Sequence, residues 1–242
     1  MVIYFKKQTM LITALGALAG FLLAVLLCRG YMARQPVFGR AFVVALPAFA
    51  GAVIGRILAA RAASVKLKGI LDILYEDDEP ERFFDIFEPF VKRIPDTNVE
   101  YIDGMVKLAY ACEAMGEFDR GLRLLEGLEP ERLRLHALAG KAILLNQRLC
   151  LYLLSENLPG GEEILSDLQE LAKTAERRAP SLAANLRECI RLADNWMKVL
   201  KKEPADTAYL REEASLAKNR IHKREMESLL ARALMEENPE GH

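Results

Sequence analysis

From Gln8 to Cys28 the chain carries no charged residue, and the apolar run MLITALGALAGFLLAVLLC fills that interval. As a helix rising about 1.5 Å per residue it extends roughly 30 Å, the thickness of a hydrocarbon core. A second run, Ala41 to Ala60, holds a single charge, Arg56, about one turn from its end, where a long side chain can reach the headgroups. The pattern predicts transmembrane helices over about 9–28 and 41–60. The first run is longer than the core of a cleaved signal, which spans about 7–15 residues. No small-x-small cleavage site follows it, and Leu27 precedes Cys28 where a lipoprotein signal carries a small residue.

After Ser64 the pattern changes from continuous to periodic. Leu182, Leu186, Cys189, Ala193, Trp196 and Leu200 recur at intervals of three and four, as do Ile164, Leu168, Leu171 and Ala175, and Leu210, Ala214, Ala217 and Ile221. Each set makes one apolar stripe on a helix. Ala142 to Leu154 is apolar nearly all round, apart from Asn146, Gln147 and Arg148, as expected of a helix buried between neighbours. Breakers punctuate the segments: Asp77-Asp78-Glu79-Pro80, Pro95, Gly116, Pro130, Pro159-Gly160-Gly161, Pro180 and Pro204. Asp78 and Asp206 are candidate N-caps, and Thr97 with Glu100 has capping-box spacing. No alternating β-rich run occurs. The reading is all-α, with eight helices in the body near 65–76, 80–93, 97–115, 118–128, 131–157, 161–178, 181–202 and 206–237.

Charge divides the chain at the same place. Residues 1–63 contain seven basic residues and no acid, whereas 64–242 holds 26 basic against 34 acidic, a net −8. The expected organisation is a transmembrane hairpin over 1–63 and a helical domain over 64–242. Lys6, Lys7, Arg56, Arg61, Lys66 and Lys68 flank the outer ends of the spans, against Arg29, Arg34 and Arg40 in the connecting loop. The excess places both termini and the domain in the cytoplasm, as in a bacterial inner-membrane protein. Arg56, Arg61, Lys66 and Lys68 then lie at the inner surface, each attracted to anionic lipid by about 1 kcal/mol. Gly16 with Gly20, and Gly51 with Gly55, form small-residue motifs that allow close helix approach, either between two copies or between the two spans of one chain.

Short connections between successive helices make antiparallel hairpins, and stacked hairpins make an α-solenoid. The stretch MVKLAYACEAMGEFDRGLRLLEGLEP, Met105 to Pro130, resembles a tetratricopeptide repeat. Leu108 and small Ala109 lie on the first helix, Gly116 and Phe118 at the turn, and Gly121 where the second helix needs a small residue against the first. The segment Leu71 to Lys92 is similar to a degenerate hairpin of that kind. Met105, Cys112 and Leu128 depart from the usual Trp, aromatic and Ala, and the turn intervals of 39, 43 and 45 residues exceed the constant 34 of the family. The resemblance implies a groove for peptides or helices, lined by the first helix of each hairpin, here those at 97–115, 131–157 and 181–202. Lys107, Asn146 and Arg187 are the candidate groove residues.

Catalytic signatures are absent from the sequence: no phosphate-binding Gly-rich loop with a following Lys-Ser or Lys-Thr, no Ser nucleophile elbow, no His-Glu-x-x-His. His136, His222 and His242 are far apart, and Cys112, Cys150 and Cys189 fall on apolar faces without metal-ligand spacing. Asp77-Asp78-Glu79 and Glu162-Glu163 sit at helix starts, where carboxylates complement the dipole. The acidic body disfavours nucleic acid. The expectation is a non-enzymatic, membrane-anchored scaffold without cofactor, metal or small-molecule substrate. Its partners would be membrane lipid and either another protein or its own copies. A self-assembling structural subunit using 161–237 is the alternative, and a membrane-surface enzyme a third.

Overall fold

The computed structural model describes residues 5–32, 37–217 and 219–237. Among them there are ten α-helices, one 3₁₀ segment and no strand, divided into two compact units, Met1–Ile70 and Leu71–His242.

The first unit contains α1 (Lys6–Met32) and most of α2 (Val37–Tyr75). The connection expected at 29–40 narrows to 33–36, so Arg34 and Pro36 lie outside the described residues, as do the side chains of Arg29 and Arg40. The two helices run antiparallel. A Cβ built on Gly55 would come within 2.8 Å of the Ile12 carbonyl oxygen, one on Gly16 would collide with the Gly51 carbonyl, and one on Gly20 with that of Pro47. Ala24, Ala59 and Ala63 continue the buried seam of small residues. Large apolar side chains point the other way, with Leu26 75% and Phe49 72% exposed. A pair with glycine inside and leucine outside is stable only where the surroundings are themselves apolar. Both helices are long and apolar enough to cross a membrane, and the exposed apolar band ends at Val65.

The helix expected at 65–76 is not separate. Nothing between Ala60 and Leu74 breaks the chain: the Ser64 hydroxyl bonds back to the Ala60 carbonyl at 2.9 Å, and Gly69 faces open space. With 39 residues α2 extends roughly 58 Å, well beyond a hydrocarbon core of about 30 Å.

The second unit contains α3 (Pro80–Val91), α4 (Val99–Ala114), α5 (Phe118–Leu125), the 3₁₀ segment Pro130–His136, α6 (Ala137–Leu154), α7 (Leu158–Arg178), α8 (Pro180–Leu200), α9 (Thr207–Leu216) and α10 (Arg220–Glu237). α6 sits at the centre, packed on α4, α5, α7 and α8. It is the third helix long and apolar enough for a membrane, but Leu145, Leu149 and Leu153 are buried in a core shared with α7, α8, α9 and α10. The stripes of α7 and α8 point into the same core, which holds Ile164, Leu168, Leu171, Leu186 and Trp196.

Helix ends differ from the sequence expectation at four places. The 131–157 helix begins as the 3₁₀ turn, where Leu133 fills the notch left by Gly140. The 206–237 helix breaks after Leu216, because Asn219 caps a new helix with its Oδ1 accepting from the His222 N–H at 2.8 Å. Thr97 is not a cap: α4 starts at Val99, with Asn98 at the N-cap position. Asp78 is not a cap either, and takes a left-handed conformation (φ 59°) just after α2. Asp206 does cap α9, accepting from Tyr209 N–H at 3.0 Å.

The left-handed conformation recurs. Gly116 after α4, Glu156 after α6 and Lys202 after α8 adopt it too. In each of these three the next amide bonds back into the last turn: Glu117 to the Cys112 carbonyl at 2.8 Å, Asn157 to Tyr152 at 2.9 Å, and Glu203 to Lys198 at 2.8 Å. This six-to-one closure satisfies the last carbonyls and reverses the chain. The turns after α2, α4, α6 and α8 thus each hold one left-handed residue, only one of them glycine, and Gly127 after α5 is a further left-handed position.

Candidate functional site

A cavity of about 680 Å³ opens within the second unit. Helical spacing brings one face of each of three helices to it: Val106, Tyr110 and Glu113 from α4, Asn146, Cys150 and Leu153 from α6, and Cys189, Ala193 and Trp196 from α8. Tyr75 and Glu76 complete one end, and Asn219, His222 and Glu225 of α10 form the remaining wall.

Of the sequence candidates, Lys107 and Asn146 line this cavity. Lys107 is ion-paired with Asp103 one turn earlier on α4. Arg187 is not there. Its side chain is 60% exposed and bonds Glu176 of α7 at 2.8 Å, because position 187 lies one step beyond the buried stripe residue Leu186. Arg56, Arg61, Lys66 and Lys68 are exposed along α2, with the Lys66 ammonium 5.0 Å from the Phe5 ring centroid.

The cavity holds a polar cluster that the sequence reading did not single out. Glu113 is 6% exposed. Gln147 donates from Nε2 to its Oε2 at 2.6 Å, and Glu225 of α10 lines the same cavity. Burial, then the neighbouring Glu225 charge, raise the Glu113 carboxyl well above the ordinary glutamate range. Beside them Tyr110 donates to Asn219 Oδ1 at 3.3 Å, Tyr75 lies 5.7 Å from the Tyr110 ring, and His222 Nδ1 is 3.7 Å from Glu225. Burial raises both tyrosine hydroxyls, and it raises the thiols of Cys150 and Cys189. Cys112, outside the cavity, is pushed up to about 11 for the same reason.

Thiols held protonated are poor nucleophiles, and no group of three or more His, Cys, Asp or Glu among the described residues is placed to hold a metal ion. The arrangement suits recognition: an apolar floor, aromatic rings and a few convergent hydrogen-bonding groups. The signal for Glu113 in the sequence is a lone acid inside the apolar run LAYACEAM, and Gln147 is its amide counterpart on α6. Their pairing joins residues 34 apart and is invisible to local periodicity.

No protein-family model, no curated protein and no solved structure matches this chain.

Proposed function

We propose that this protein is a membrane-anchored helical-repeat scaffold that holds a protein partner against the inner face of a cell membrane. The single observation that carries the reading is the cavity, lined by three alternate helices, α4, α6 and α8, with Lys107 and Asn146 on its wall. The recurrent left-handed closure at 78, 116, 156 and 202 supports a repeat built on hairpins. So does Gly121, where a Cβ would meet the Ala109 carbonyl oxygen at 3.3 Å and Leu151 at 3.0 Å. α1 and α2 supply the anchor, and Lys7 with Arg56, Arg61, Lys66 and Lys68 supports a body on the cytoplasmic side, next to anionic lipid. The mechanism is positional: tethering raises the effective concentration of a membrane-bound partner at the groove.

The stripes that a self-assembling subunit would use, on α7 and α8, are spent inside the chain's own core. This favours a distinct partner over self-association. The test is photo-crosslinking in intact cells from a reactive residue at Asn146, with exposed Lys173 on α7 as the control position. Capture of the same distinct protein from 146 and not from 173 supports the scaffold. Crosslinks only to the chain itself from both positions overturn it.

A further inference from the structure

The cavity is walled on one side by the protein's own α10, and that helix fits imperfectly. Its apolar residues Met226, Leu229 and Ala233 are all buried, at helical spacing, in the core made by α6, α8 and α9. One position before Met226, however, α10 puts Glu225 on the wall of the same cavity as the buried acid Glu113, with Glu76 there too, so acid is set beside acid. Every other polar attachment of α10 to the cavity is weak or exposed. Arg224 to Asp78 and Arg232 to Glu156 are surface ion pairs at 2.9 Å, each with an exposed arginine, and such pairs contribute little. The Tyr110 to Asn219 bond is long, at 3.3 Å. A short connection, from Ala217 in extended conformation to Asn219, joins α10 to α9.

We infer that α10 is a built-in stand-in for the partner, and that the partner is an amphipathic helix placing a lysine or arginine where α10 places Glu225. Such a helix keeps the apolar contacts of Met226, Leu229 and Ala233 and sets a cation in place of an acid on the wall beside Glu113, where it can make a charge-assisted hydrogen bond. It displaces α10 because it satisfies the buried acid better than α10 does. Specificity follows from the same residue: a helix with an acid or an apolar group at that position gains nothing over the resident one. This inference rests on the scaffold reading and names the chemistry of its partner.

The test uses the full chain in detergent micelles and a uniformly ¹⁵N-labelled synthetic peptide of residues 219–237 carrying Glu225→Lys, with the unsubstituted peptide as reference. The substituted peptide is expected to bind at least about tenfold tighter than the reference, the ratio given by one hydrogen bond to a charged group. Hydrogen exchange of the chain's own 220–237 amides, read apart by mass, is expected to accelerate on binding. In a full-length Glu113→Gln chain the preference between the two peptides is expected to vanish. Equal affinities on the native chain, binding that leaves the exchange of α10 unchanged, or a preference that survives Glu113→Gln would each overturn the inference. If all three results hold while no protein crosslinks at position 146 in cells, the scaffold reading falls and the displaceable helix stands.

Discussion

Gln147 on α6 donates to Glu113 on α4 at 2.6 Å, so the buried acid is held by an amide at the edge of a cavity that Glu225 of α10 also lines. The folded protein keeps a proton there that the unfolded chain, with its glutamates at the ordinary value of 4.5, has released. Tyr75, Glu76, Lys107 paired with Asp103, Tyr110, Cys150, Cys189, His222 and Glu225 line the same cavity as Glu113.

Because the folded state binds the extra proton on Glu113, stability is greatest below the ordinary glutamate range and declines as pH rises, until Glu113 gives the proton up in the folded chain. The slope within that window is about 1.4 kcal/mol per pH unit for one proton. Urea unfolding of the full chain at about pH 5.5 and about pH 8.5 is expected to show the lower midpoint at the higher pH, and Glu113→Gln is expected to flatten the difference. A wild-type midpoint that rises with pH would count against a raised Glu113.

The seam between α1 and α2 leaves no room at Gly51, where a Cβ would collide with the Gly16 carbonyl. Gly51→Ile is expected to cost about 1–3 kcal/mol by forcing two backbones apart. Leu58→Ala, on the outward face at 55% exposure, is expected to cost less than about 0.5 kcal/mol in detergent. Thermal aggregation of the solubilised chain separates the two; equal losses would mean that the helices do not pack through glycine.

Lys202 holds a left-handed conformation (φ 58°) that costs an ordinary side chain about 1–2 kcal/mol and glycine almost nothing. Lys202→Gly is therefore expected to raise unfolding free energy by about 0.5–1 kcal/mol after the added entropy of the unfolded chain. Gly116→Ala, the converse change at φ 75°, is expected to lower it by about 1 kcal/mol. Chemical denaturation of the two variants checks both signs.

Asn219 caps α10 and also accepts from the Tyr110 hydroxyl. Asn219→Ala is expected to cost about 1 kcal/mol, the usual loss for a side-chain cap. Faster amide exchange should appear first in 220–237, with α6 and α7 unchanged; uniform acceleration across the body would show that α10 does not open by itself.

Both apolar spans were legible from run length alone, and the stripes on α7 and α8 gave the faces that meet in the core. What escaped was set by long-range packing or by backbone angle. The expected boundary near 64 follows the end of the uncharged run, yet no residue there stops the helix, so α2 runs on to Tyr75. Asn219 is a readable cap that the continuing apolar period obscured. The turns near 78, 156 and 202 were marked by the breakers beside them, but the left-handed residues there are charged, and only at 116 is that residue the glycine itself. Lys107 and Asn146 reached the cavity because they share the inner faces of α4 and α6, whereas Arg187 missed it by one step on α8. Glu225 was out of reach, since its role depends on α10 folding back toward α4.

The position of α10 in the chain also sets an order of events during synthesis. The seam of α1 and α2 joins residues made early, so the hairpin can close in the bilayer while the body is still being translated. α10 leaves the ribosome after every helix it covers. Until it docks, Leu149, Leu153 and Trp196 lack the cover of Met226 and Leu229, and the cavity beside Glu113 lacks its Glu225 wall. A nascent chain thus leaves this face of α6 and α8 uncovered until its last helix is made, and another helix present at that moment meets no competitor.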